Sequence, residues 1–95
     1  MAVKVLIKRK VADKQASELE GLLRKMRVMT LSQKGYVSGE TFTRLDEPGV
    51  SMVISTWQSL DDWRAWTLNK ERITIQEEID KLLGEPTQYE IFENI

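Results

Sequence analysis

The sequence predicts an α+β domain with the order strand, helix, strand, strand, broken helix, strand. Three observations predict it. Apolar residues alternate along Val3–Lys10 and again between Tyr36 and Trp57, the period of strands with one covered face. Apolar residues recur every three or four positions from Ala16 to Met29 and from Leu60 to Leu83, the period of amphipathic helices. Pro48-Gly49 between the two middle strands marks a tight reversal, with glycine at the position that needs a positive φ.

The first strand puts Val3, Val5 and Ile7 on one face and Lys4, Leu6 and Lys8 on the other. Asp13 is placed to cap the following helix, whose stripe is Ala16, Leu19, Leu22, Leu23, Met26 and Met29. Glu20 and Arg24 lie four apart on its wet side. Gly35 permits the turn into the second strand. Strict alternation there groups Tyr36, Ser38, Glu40, Phe42 and Arg44 on one face and Val37, Gly39, Thr41 and Thr43 on the other. Gly39 inside a strand marks a bulge, a bend or the close approach of another group. The third strand, Val50–Trp57, divides into Val50, Met52 and Ile54 against Ser51, Val53, Ser55 and Trp57. The small serines leave room on that second face.

Ser59 and Asp62 form a capping box for the next helix. Leu60, Trp63 and Thr67 line its stripe, with Trp66 beside it. Asn69 interrupts the pattern and can cap a new helix with Ile75, Ile79, Leu82 and Leu83 as its buried stripe. Gly84 and Pro86 stop that helix, and Thr87–Phe92 reads as the last strand. This is the ferredoxin-like plan, a four-stranded antiparallel sheet with helices on one face. Leu6, Tyr89 or Phe92, and members of the middle strands must then line the other face. A bare apolar sheet face calls for a partner, and a second copy of the chain meets the need, so a homodimer is expected.

Ninety-five residues make a single domain, residues 1–95. Fourteen basic residues against fifteen acidic give a net charge of -1, which offers no basic face for nucleic acid or an anionic membrane. Cysteine is absent, which excludes disulfides and thiolate chemistry. Histidine is absent too, which removes the usual general base and the usual nitrogen ligand of zinc, iron and haem. No spaced carboxylate cluster suggests a metal site. The N-terminal MAVKVLIKRK is too short and too alternating for a signal peptide, and no apolar run reaches membrane-spanning length. The expected compartment is the cytoplasm.

The segment from Val50 to Leu83 holds the chemistry. All three tryptophans of the chain, Trp57, Trp63 and Trp66, fall within ten positions. Trp63 reads as core between helix and sheet; Trp66 either packs there or walls a cavity able to stack a flat aromatic ligand. Asn69 is a helix cap or an amide aimed into the same cavity. Tyr36 is a packed aromatic or a donor to a substrate oxygen. Arg64 and Arg72 are solvated or paired, or serve as a buried cation beside a developing phenolate. Glu40 is a base, an acid for a small-lactone isomerase, or a cross-strand partner for Lys4, Lys8 or Arg9.

The whole plan, with GYVSGETF and TWQSLDDWRAWTLNKER, resembles the antibiotic biosynthesis monooxygenase (ABM) domain family of the dimeric α+β barrel superfamily. The resemblance spans Val3 to Phe92. It implies a homodimer whose two sheets close a barrel, with a pocket between sheet and helices in each subunit. It also implies, as in the polyketide-modifying members, cofactor-independent oxidation of polycyclic phenols by dioxygen, without flavin, haem or metal. Trp66 would then be the stacking wall, and Asn69, Tyr36 and Arg72 the polar contacts. A haem-degrading branch uses a histidine on the last helix, a tryptophan, and an asparagine on the first strand. Trp66 matches the tryptophan, but the histidine position is Gln76 and the first strand offers only Lys8 and Arg9. Haem degradation is therefore rejected. The alternatives are a non-enzymatic dimer, stress-related or otherwise, that binds an aromatic metabolite or persists as a stable barrel, and, third, an isomerase acting on a small lactone.

Overall fold

The structure, a computed structural model, describes residues 2–95. Its elements are β1 (Val3–Lys10), a 3-10 turn (Asp13–Gln15), α1 (Ala16–Thr30), β2 (Tyr36–Thr43), β3 (Val50–Trp57), α2 (Leu60–Thr67), α3 (Lys70–Leu83) and β4 (Gln88–Glu93). The four strands form one antiparallel sheet in the order β2-β3-β1-β4. The ferredoxin-like plan expected from the hydrophobic periods is therefore the observed one.

Register assigns the two sheet faces. Val3, Val5 and Ile7 stand opposite Trp57, Ser55 and Val53 of β3 and Glu93, Ile91 and Tyr89 of β4. This face meets the helices: Val3, Val5, Trp57, Trp63 and Trp66 make one buried cluster, flanked by Ile7, Met26, Met29, Tyr36 and Leu60. Arg9 continues the same parity and is buried with it. The opposite face carries Leu6, Met52 and Ile54, which are half-buried, together with exposed Phe42 and Phe92. Phe92, not Tyr89, is thus the aromatic of β4 on that side. Lys8 there pairs with Glu90 across the strands at 2.9 Å.

Three local expectations change. The register between β2 and β3 shifts between Tyr36 and Ser38, so Val37 is an extra residue in the ladder. The bulge reverses the parity ahead of it. Tyr36 consequently shares the helix-facing side with Gly39 and Thr41, while Glu40 pairs with Ile54 on the outer face. Glu40 does not point with Tyr36, and it makes no ion pair with Lys4, Lys8 or Arg9 among the described residues. Asp13 does not cap α1 either. It lies in the 3-10 turn, and Gln15 secures the junction, accepting from Ala12 N (3.1 Å) and donating to the Leu82 carbonyl (2.7 Å). Finally, β4 starts one residue late because Thr87 N donates to Asp80 Oδ1 (3.1 Å).

The turn into β2 depends on Gly35. Its φ is +83°, its carbonyl accepts from Gln58 N at 2.7 Å, and the Asp62 side chain occupies the space a Cβ would need. Asp62 is held there by α2: its amide donates to Ser59 Oγ (3.1 Å), and its carboxylate accepts from the Ser59 hydroxyl (2.9 Å). Gly35→Ala combines a disfavoured backbone conformation with a steric clash, and should lower stability by about 1–3 kcal/mol. Urea unfolding followed by tryptophan fluorescence measures this; an unchanged midpoint would mean that the turn relaxes without strain.

Candidate active site

A cavity of about 460 Å³ lies between the sheet and the helices. That volume is within the ordinary range for small-molecule sites. Its floor is Ile7, Arg9, Val53 and Ser55 of the two central strands; its far wall is Leu23, Met26 and Thr30 of α1. Trp63, Trp66, Arg72 and Gln76 enter from α2 and α3, Tyr36 from the bulged end of β2, and Tyr89 from β4. Arg27 and Leu31 are both exposed, and so mark the open rim.

The tryptophans serve as core and wall together. Trp57 is fully buried and donates through Nε1 to Ser55 Oγ at 2.8 Å, so its one polar atom is satisfied. Trp66 lies nearly parallel to Trp57 at 6.4 Å between ring centroids, and Trp63 meets Trp57 edge-on at 5.8 Å. Tyr36 closes the other side of Trp57, also edge-on, at 5.4 Å. The sequence left Trp63 as core and Trp66 undecided between packing and lining. Each is only 4 % exposed, and each lines the cavity.

Arg72 is the central polar group. It is buried, and its guanidinium lies 5.6 Å from the Trp63 ring centroid, 5.9 Å from Trp66 and 5.7 Å from Tyr89. Contacts of this kind contribute about 0.5–1 kcal/mol where exposed and about 2 kcal/mol where desolvated. Its Nη2 donates to Tyr89 Oη at 2.8 Å. No carboxylate pairs with it among the described residues. Arg64, its counterpart on α2, is exposed and faces Asp61 at 4.0 Å, away from the cavity lining.

Tyr36 and Gly39 are coupled. A Cβ on Gly39 would stand 2.8 Å from the Tyr36 hydroxyl. The glycine is therefore the close approach that its place in a strand suggested, and the approaching group is Tyr36 itself. Arg9, Gln76 and Tyr89 were not read from the sequence as cavity residues, and Tyr89 was offered for the opposite face. Arg9 was signalled by the alternation of Val3, Val5 and Ile7, which it continues. Gln76 was signalled by its place one turn after Arg72 and one turn before Ile79, which is fully buried. Burial pushes the Arg9 guanidinium below its ordinary pKa; the neighbouring Tyr89 and Asp80 oppose that shift, and Arg72 adds to it.

Asn69 is not among the cavity-lining residues. It is the N-cap of α3, and its Oδ1 accepts from Arg72 N at 3.0 Å. Its effect on the site is indirect, since it fixes the turn that carries Arg72. Asn69→Ala should cost about 1 kcal/mol of stability, whereas Asn69→Ser and Asn69→Asp, both good caps, should stay within a few tenths. Thermal unfolding ranks the three; equal losses in all of them would show that the amide does something other than cap.

The family model for antibiotic biosynthesis monooxygenase matches residues 2–78. No curated protein matches the chain. Among solved structures, a conserved protein from Methanosarcina mazei Go1 superposes with a TM-score of 0.91 at 17 % identity, covering 100 % of this chain and 94 % of that one. SnoaB, a cofactor-independent oxygenase from Streptomyces nogalater, gives 0.84 at 16 % identity over 99 % of this chain and 93 % of its own. Rv0793 from Mycobacterium tuberculosis gives 0.86 at 17 % identity, over 100 % and 96 %. At such identities these structures establish the shared fold, and the family model covers most of the sequence. The chain belongs to the antibiotic biosynthesis monooxygenase family.

Proposed function

We propose that this protein is a cofactor-independent monooxygenase that oxidises an aromatic or polycyclic phenol with dioxygen. The observation that carries the proposal is one cavity: tryptophan-walled and lined also by an unneutralised Arg72 and by Tyr36. The similarity in fold to SnoaB supports the same reaction class.

In this reading Trp63 and Trp66 hold the flat substrate and keep water off it. Arg72 favours the ionised phenol, because a neighbouring cation stabilises the anion. Tyr36 donates to a substrate oxygen. The ionised phenol transfers one electron to dioxygen, and the radical pair combines at the ring carbon. The ring peroxide so formed takes a proton back from solvent; the ring carbon then loses its hydrogen as a proton and the O–O bond breaks, leaving the quinone and one water. No carboxylate or imidazole lines the cavity, so the phenolic proton leaves to solvent at the Arg27–Leu31 rim. That missing base also favours the second reading, a non-enzymatic protein that binds an aromatic metabolite. A lactone isomerase loses its acid, since Glu40 lies on the outer face of the sheet.

Oxygen uptake with reduced polycyclic phenols and hydroquinones, no cofactor added, tests the proposal. Catalysed uptake is expected. Tyr36→Phe should lower it about tenfold, the equivalent of one hydrogen bond, and Trp66→Ala by more. Uptake that ignores both substitutions in folded protein would place the reaction elsewhere.

The outer sheet face completes the proposal. Leu6, Phe42, Met52, Ile54 and Phe92 lie on one side of one sheet, and a second copy seated there buries them and forms the barrel of a homodimer. Light scattering should give twice the 11.0 kDa chain mass, and Ile54→Lys should shift the protein toward one chain mass. A monomeric parent protein would contradict the assembly.

A further inference from the structure

Four residues meet on the helix-facing side of the sheet where β2 pairs with β3. Trp57 stands opposite Tyr36, and Ser55 stands opposite Gly39. Tyr36, Gly39 and Ser55 line the cavity, with Trp57 fully buried beside them. The Tyr36 side chain spans both rows. Its ring meets Trp57 edge-on, and its hydroxyl reaches within 2.8 Å of the point where a Gly39 Cβ would stand. Side chains directly opposite each other in such a ladder have Cβ positions about 4.5–5.5 Å apart. The hydroxyls of Ser55 and Tyr36 therefore flank one hollow, over the residue that has no side chain.

The protons in this hollow are constrained. An indole N–H only donates, so the Ser55 oxygen, 2.8 Å from Trp57 Nε1, must accept. The proton of the Ser55 hydroxyl is then left over, and no acceptor takes it among the described residues. Ser55 is only 5 % exposed, yet it lines the cavity. A hydroxyl that already accepts a hydrogen bond is polarised toward donating one. The Tyr36 hydroxyl has no hydrogen-bond partner among the described residues either, and it is not sealed from solvent. Hydroxyls withdrawn into a protein are ordinarily paired. Here two neighbouring ones keep free protons, and both border the same open space.

We infer that Ser55 is a second ligand-binding donor, and that Ser55 and Tyr36 together hold one ring oxygen of the ligand above Gly39. The oxygen that suits two donors is one that only accepts: a carbonyl, or a phenol oxygen that has lost its proton. Each offers a lone pair to each hydroxyl. Two aimed donors also stabilise an oxyanion more than the neutral phenol. In the proposed reaction the same oxygen is a phenolate before oxidation and a quinone carbonyl after it, so the pair serves both states. Gly39 is the positioning residue, because a side chain there would displace the Tyr36 hydroxyl. The inference deepens the proposed function and rests on it only for naming that oxygen as the substrate's.

Two flat probes test it: 9-fluorenone, which carries one carbonyl, and fluorene, nearly the same in shape but without the oxygen. Titration followed by tryptophan fluorescence gives the ratio of their affinities, and infrared spectroscopy gives the carbonyl stretch of bound fluorenone. The stretch should lie below its value in an aprotic solvent. Ser55→Ala and Tyr36→Phe should each raise it part of the way back and lower the affinity ratio about fivefold, the equivalent of one hydrogen bond. Fluorene affinity should stay within about twofold in both. Ser55→Thr keeps the hydroxyl and should keep the ratio. Should Ser55→Ala not fold for want of the Trp57 acceptor, Ser55→Cys leaves a weak acceptor and a weak donor, and the ratio should fall in the same sense. No binding of fluorenone, an unshifted stretch, or a stretch and ratio that ignore the folded Ser55 variant overturns the inference. Neither probe is a phenol, so the result does not depend on turnover. Oxygen uptake on phenols with an unshifted stretch would overturn this inference alone. A shifted stretch that Ser55→Ala raises, without uptake on any phenol, would overturn the oxygenase reading alone.

Discussion

The arginine under the tryptophans governs this structure. Removing a guanidinium from water is costly unless something replaces its hydration. Here the replacement is the faces of Trp63, Trp66 and Tyr89 together with one hydroxyl acceptor. Aromatic faces stabilise the cation without neutralising it, as a carboxylate would. The positive charge of Arg72 therefore remains available to whatever enters the cavity. Trp57 holds this arrangement in place from beneath. It is fully buried, it contacts Tyr36, Trp63 and Trp66, and its indole nitrogen is satisfied by a serine two residues back. The same rings thus make the core and shape the site, so changes to the wall carry a stability cost as well.

Two small residues set the geometry of the other end. Gly35 lets Asp62 pack onto the turn, which ties the start of α2 to the start of β2. Gly39 leaves space for the Tyr36 hydroxyl. Between them, the extra residue at Val37 turns Tyr36 toward the helices. In a strand without the bulge Tyr36 and Glu40 would share one face, and both would line the cavity or both would lie outside it. A single inserted residue therefore admits the phenol to the cavity wall while keeping the carboxylate out of it, and so decides which chemistry the wall can support.

Most of the fold was legible in the sequence because its elements are strongly periodic. Val3, Val5 and Ile7 announce a strand, Leu19 to Met29 a helix, and Asn69 a helix start, and the structure has each of them. Trp66, Tyr36 and Arg72 were also legible as cavity candidates. The orientation of β2 beyond its first residue was not, because alternation counts residues and cannot register an extra one in the ladder. Arg9 was passed over for a different reason. Its parity was plain, but it was read only as an ion-pair partner for Glu40, and only the assembled cavity shows an arginine buried there. Asn69 was read both ways, and its amide oxygen is engaged at the cap.

The division of the sheet into two faces would give the proposed homodimer a functional consequence. The faces share the same strands, with residues alternating between cavity and outer surface. Ile7 and Arg9 line the cavity, while Leu6 and Lys8 between them lie on the outer face. A partner seated on that face fixes the pleat of β1, and with it the direction in which Arg9 projects. Association and the cavity are then coupled through one strand, with no residue of the partner needed in the site itself. Loss of that interface would consequently bear on the β1 side of the cavity more than on the Tyr36 side. Tyr36 is held by contacts within its own subunit, through Trp57 and the space over Gly39.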